Sequence, residues 1–170
     1  PMRSSAASDV YKRQKKGLKN FKGVQRRFNK IFTFNGVDFY DDYAHHPTEI
    51  KSVLEGVKKV FDKYEKVCVF QPHRISRLKD LRNEFTHCFR DADTIILCPI
   101  FTAGEKIKLG FNYNDFAKEI IKNSKVKLFM IKNNIELAKF LKQNIYGNKI
   151  VIGMGAGSIS NWMKKLPGLM

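Results

Sequence analysis

Val67-Cys68-Val69-Phe70 and Thr94-Ile95-Ile96-Leu97-Cys98-Pro99-Ile100 are two short apolar runs with a polar, periodic stretch between them. Runs of this length suit strands buried on both faces, as in a parallel sheet. Between them Leu78, Leu81, Phe85, Cys88, Phe89 and Ala92 recur at intervals of three and four, one face of a helix. Ser76 stands just ahead of that face, where an N-cap belongs. Strand, helix, strand is a βαβ unit, and its crossover sets the two strands parallel.

The alternation extends both ways. Downstream, a helix is expected around Tyr113 to Lys122, a strand at Val126 to Ile131, a helix at Ile135 to Ile145 and a strand at Lys149 to Met154. Gly155-Ala156-Gly157 then opens a last helix containing Trp162. Upstream, Ile31 to Phe34 and Val37 to Tyr40 flank Asn35-Gly36, which supplies the two positive-φ residues of a type I′ hairpin. Pro47 suits a first helical turn, and Ile50, Val53, Leu54, Val57, Val60 and Phe61 follow on one face. The expected fold is α/β: a doubly wound, mostly parallel, Rossmann-like sheet whose N-terminal β-hairpin makes an antiparallel edge. Pro1 to Gln14 is small, polar and aperiodic, with no apolar core of a signal peptide. Residues 1–16 are therefore expected to be a linker or non-native segment, and residues 17–170 one domain.

Composition narrows the function classes. The chain has 170 residues, of which 43% are hydrophobic, enough for one packed domain. No apolar run approaches the ~18 residues of a membrane span, so no membrane partner is expected. Cys68, Cys88 and Cys98 are odd in number and lack C-x-x-C spacing. That argues against a disulfide scaffold or a cysteine zinc site, and fits a reducing cytoplasm. The net charge of +16 attracts anions. Residues 1–20 contribute +5 of it, and frequent Lys, Asn, Ile and Phe suggest compositional drift. No basic run is interleaved with aromatics, so nucleic acid is not the expected partner. A basic α/β nucleic-acid-binding module remains the alternative of a different class.

Ligands of open parallel sheets bind beyond the carboxyl ends of the strands. Three clusters fall there. Asp41-Asp42-Tyr43-Ala44-His45-His46-Pro47 carries two carboxylates and two imidazoles, groups that can work as acid and base or hold a ribose. Its bland reading is a turn before a helix. Gln71-Pro72-His73-Arg74-Ile75-Ser76-Arg77 sets two arginines at a helix start, where free N–H groups also suit a carboxylate or phosphate. Cations there oppose the helix dipole and need another reason to be present. Gly153-x-Gly155-x-Gly157 is a weak phosphate signal, read as a tight strand-to-helix turn.

These clusters are familiar together. Asp-Asp-Tyr-Ala-His-His-Pro-Thr-Glu-Ile (41–50), Phe-Gln-Pro-His-Arg-x-Ser-Arg-Leu (70–78), Ala-Gly-Glu (103–105) and Gly-Ala-Gly-Ser-Ile (155–159) follow Gly-Val-x-Arg-Arg-Phe (23–28) in that order. The set closely resembles the C-terminal domain of the Mur ligases of bacterial peptidoglycan synthesis. Within that family it is most similar to the branch that joins L-alanine to UDP-N-acetylmuramate. A related branch that recycles a cell-wall tripeptide shares the first motif but is not expected to carry the His-Arg-x-x-Arg cluster.

The resemblance implies an amide-forming ligase that uses ATP and Mg²⁺, bound mainly by a central domain. ATP phosphorylates the muramoyl carboxylate, and the alanine amine attacks the acyl phosphate. No G-x-x-x-x-G-K-[ST] loop occurs in this chain, so it is expected to be a fragment lacking the N-terminal and central domains. By motif position, Asp42 and His45 are implied to face the nucleotide, and Arg27, beside Arg26, to approach ATP near the domain hinge. Tyr43, His73, Arg74 and Arg77 are implied to form the L-alanine pocket, with arginine pairing the carboxylate. No metal ligand is assigned within this chain.

Overall fold

The computed structural model describes residues 26–105 and 111–170. The expected linker 1–16 and residues 17–25, with Gly23 and Val24 of the upstream motif, lie outside the described residues. Six strands form one sheet: β1 (Asn29–Phe34), β2 (Val37–Asp42), β3 (Glu65–Phe70), β4 (Thr94–Leu97), β5 (Lys127–Met130) and β6 (Lys149–Met154). Their order is β1-β2-β6-β3-β4-β5. Only the β1–β2 pair is antiparallel. The hairpin turns as its sequence requires, with φ of 49° at Asn35 and 76° at Gly36.

Helices cover both faces. On one side lie α1 (Pro47–Val60), α2 (Ile75–Asp80), α3 (Arg82–His87) and α4 (Tyr113–Ser124). On the other lie α5 (Asn134–Asn144) and α6 (Ile159–Lys165), followed by a short 3₁₀ turn at Leu166–Gly168. Alternate residues of each central strand serve the two cores. Cys68 and Phe70 pack with α1 to α4, whereas Val67 and Val69 pack with α5 and α6. The chain steps outward through β3, β4 and β5, then returns across the opposite face to insert β6 between β2 and β3. Such a reversal opens a crevice at the carboxyl ends of the central strands.

Several local expectations need correction. The stretch from Ser76 to Ala92 is two short helices, because Leu81 leaves helical geometry at φ −113°, ψ 28°. The second of them is held from a distance: Arg82 grips Glu119 of α4 through two hydrogen bonds of 2.8 and 2.9 Å. Strand β4 stops at Leu97 rather than running to Ile100, since Pro99 has no N–H to continue a ladder. Val60 lies at the edge of the α1 stripe and is 73% exposed.

Candidate functional site at the carboxyl edge of the sheet

Five segments converge at the ends of β2, β3 and β6. They are Arg26–Phe28, Tyr43–His46, Gln71–Arg77, Phe101–Glu105 and the Gly155–Ser158 turn. The first is fastened by the end of β2. Asp42 accepts hydrogen bonds from the N–H of Phe28 at 2.8 Å and of Ala44 at 2.7 Å, and Tyr43 N–H donates to the Arg26 carbonyl at 2.8 Å. Both Asp42 oxygens are therefore engaged with backbone, and the residue is only 2% exposed. Burial pushes its carboxyl up from the ordinary value, against the pull of those two N–H groups.

Asp41 faces the other side of the sheet, as strand alternation demands. Its Oδ2 accepts from the Ser160 hydroxyl at 2.5 Å and lies 3.4 Å from Arg26 Nε. The Arg26 guanidinium also donates to the Gly155 carbonyl and sits 4.7 Å from the centre of the Tyr43 ring. Arg26 is thus a clasp across β2 and β6. Arg27 beside it is exposed.

From that clasp a row of rings crosses the edge. Tyr43 meets His45 edge-on at 5.0 Å, His45 lies 5.9 Å from His73, and His73 stacks on Phe101 at 5.5 Å. His45 Nδ1 is 2.9 Å from the Tyr43 carbonyl and 3.5 Å from Glu49 Oε2. His73 titrates below its ordinary value, first because it is partly buried, then because Arg77, His45 and Arg74 oppose a further positive charge. It is therefore neutral at pH 7. Its Nδ1 and Arg77 Nη1 are buried with no hydrogen-bond partner among the described residues. Arg74 is exposed beside them.

His46 is structural. Its side chain accepts from Thr48 N–H at 3.3 Å, while Glu49 Oε2 accepts from the N–H of His45 and His46, closing a capping box on α1. The two glycines after β6 are structural too. A Cβ on Gly155, where φ is 146°, would stand 2.7 Å from the Gln71 carbonyl. One on Gly157 would meet Phe101 Cγ at 2.5 Å and Gln71 Oε1 at 2.6 Å. Gln71 itself accepts from Ile159 N–H at 2.9 Å and ties the turn to β3.

The structure corrects the second cluster. Ser76 does not cap α2; the N-cap position is Arg74, at φ 70°, without a side-chain cap bond. Nor are the N–H groups free for an anion. Glu105 Oε2 takes them from Ile75 at 2.8 Å and Ser76 at 3.1 Å, and Oε1 takes the Ser76 hydroxyl at 2.5 Å. An open, mostly apolar cleft of about 620 Å³ adjoins α2, lined by Ile75, Ile100, Phe111, Tyr113 and Met130. Lys132 is its one charged side chain among the described residues, so it is poorly equipped to grip a charged substrate. No cluster of three His, Cys, Asp or Glu side chains that would hold a metal ion occurs among the described residues. The basic residues Arg26, Arg27, Arg74 and Arg77 all gather at this one edge.

Residues 26–157 match the family described as Mur ligase, glutamate ligase domain. The chain belongs to the Mur ligase family, as its C-terminal domain. UDP-N-acetylmuramate–L-alanine ligase of Pelagibacter ubique is 67% identical over 156 residues, a match covering 92% of this chain and 34% of that protein. The crystal structure of UDP-N-acetylmuramate-alanine ligase from Thermotoga maritima superposes with a TM-score of 0.67 at 25% identity, covering 90% of this chain and 31% of that one. A murein peptide ligase from Psychrobacter arcticus gives 0.72 at 18% identity over 91% of this chain and 32% of its own, a likeness of fold alone. This Mur ligase domain thus spans about a third of the length of the relatives it matches.

Proposed function

We propose that this domain presents L-alanine in an ATP-dependent ligase that joins it to UDP-N-acetylmuramate. The observation that carries the reading is a cluster of nitrogen groups missing its acid. Arg77 Nη1 and His73 Nδ1 are buried and unpartnered among the described residues, with Arg74 alongside, at the sheet edge where α/β ligands bind. An amino acid supplies what they lack. Its carboxylate takes the guanidinium fork of Arg77, and neutral His73 is free to accept from the amine. The name carried by the 67% identical relative favours L-alanine over a tripeptide.

Arg27, exposed, and His45, half-buried, stand at the same edge and are proposed to meet the nucleotide, with Arg26 holding the segment that bears Arg27. Asp42 is proposed to act through the backbone it fastens. Its oxygens are already engaged, so the described residues do not fit Mg²⁺, and both Mg²⁺ and the ATP phosphates fall to the absent central domain. The reading is tested with a full-length ligase carrying this domain. Phosphate release should require both UDP-N-acetylmuramate and L-alanine; turnover with the tripeptide but not L-alanine would sink it. The 170-residue chain alone is expected to release no phosphate from ATP above a heat-killed control, because it lacks a phosphate loop.

A further inference from the structure

We infer that Glu105 is the positioning residue of the amino-acid pocket, holding the start of α2 so that Arg74 and Arg77 stand where a carboxylate can reach them. The inference rests on the proposed function and adds a role for the Ala103-Gly104-Glu105 turn. The loop after β4 is zipped onto the loop after β3 at successive points. Phe101 N–H donates to the Pro72 carbonyl at 2.8 Å and Arg74 N–H to the Phe101 carbonyl at 2.9 Å. His73 pairs with Phe101 as an isolated bridge and stacks on its ring. Glu105 closes the zip with three bonds, to both first N–H groups of α2 and to the Ser76 hydroxyl.

The turn is built to aim that side chain backward. Ala103 and Gly104 have φ of 52° and 86°, and Glu105 N–H donates to the Thr102 carbonyl at 3.0 Å, the geometry of a type I′ turn. Ala103 holds a conformation that a residue with a Cβ disfavours, as does Arg74. Helix α2 has six residues, no acidic residue in its first turn and no cap of its own. A helix that short does not persist without help at its end. Two arginines beside its N-terminus oppose the helix dipole. Glu105, supplied from the neighbouring loop, answers both deficits. The Ser76 bonds, then those from Ile75 and the charge of Arg74, hold its carboxyl below the usual value, so it is ionised at neutral pH.

The test uses a full-length ligase carrying this domain. Glu105→Ala should raise the KM for L-alanine about tenfold and leave the KM for ATP within about twofold, in line with one lost preorganising contact. Glu105→Gln should recover most of the loss. Its amide oxygen can accept from both N–H groups, and its NH₂ can donate to the Ser76 hydroxyl, so position is kept and charge is not. If the Ala variant folds poorly, Ser76→Ala removes one of the three bonds and should give a smaller rise of the same kind. An unchanged KM for L-alanine in Glu105→Ala, or a Gln variant as impaired as the Ala variant, overturns the inference. Arg77→Ala run alongside separates the two levels. If Arg77→Ala raises that KM and Glu105→Ala does not, only the positioning role falls; if neither does, the amino-acid reading falls with it. Amide exchange in the 170-residue chain needs no substrate: Ile75 and Ser76 should exchange faster in Glu105→Ala, and unchanged exchange also overturns the inference.

Discussion

Asp42→Ala is expected to lower the melting temperature of the chain by roughly 6–12 °C, corresponding to about 3 kcal/mol for a domain of this size. Removing the carboxylate strands two N–H groups, those of Phe28 and Ala44, in a place with 2% exposure. Each orphaned buried donor costs about 1–3 kcal/mol. Part of that loss is returned because burial already disfavours the charged carboxyl. Asp42→Asn should fall between, since an amide accepts one N–H and turns its own NH₂ against the other. Asp41→Ala should cost less: one of its oxygens has no partner among the described residues, and the other is shared by Ser160 and Arg26. Thermal melts of the three variants decide the order. If instead Asp42→Asn melts like the parent yet cuts kcat/KM of the full-length ligase a hundredfold, Asp42 acts on the nucleotide and not through the backbone.

That contrast marks where sequence reasoning ran out. The opposite facing of Asp41 and Asp42 was legible, because strand alternation is local. What each carboxylate holds was not, because Phe28 and Ser160 reach them from 14 and 119 residues away. The hairpin, the alternating elements and both helix stripes were legible for the same local reasons. Asn35-Gly36 admits few other turns, and apolar spacing distinguishes strand from helix. Glu49, three residues beyond His46, is a local capping signal of the same kind. Pro99 was an available signal that β4 should stop early. The cap on α2 had no local signal. Ser76 has the right chemistry in the right place, yet its own N–H and hydroxyl are both donors to Glu105, 29 residues on. The break at Leu81 likewise has no Gly or Pro to announce it, and Arg82 just beyond it is held by Glu119 of α4.

Arg77→Ala, in a full-length ligase carrying this domain, is expected to raise the KM for L-alanine about ten- to a hundredfold, with a much smaller change for ATP. A charge-assisted hydrogen bond contributes about 1.5–3 kcal/mol, and each 1.4 kcal/mol is tenfold in affinity. The full effect is expected because Arg77 Nη1 has no partner among the described residues, so a carboxylate bound as proposed would be its first. Arg77→Lys should restore little, since an ammonium lacks the planar fork. The variant also reports on His73. That imidazole titrates below its ordinary 6.5 because of burial, then Arg77, His45 and Arg74. With its folded value depressed, the unfolded chain binds protons first as pH falls, so the site loses stability on acidification through 6.5. Removing the Arg77 charge removes one depressing cause, and the His73 titration followed by NMR should move upward. An unmoved His73 would mean that Arg77 does not face it in solution. Equal rises in KM for ATP, UDP-N-acetylmuramate and L-alanine would assign Arg77 to folding or to the hinge. A rise confined to L-alanine, with an upward His73 shift, requires the two side chains to share one pocket that takes the amino acid.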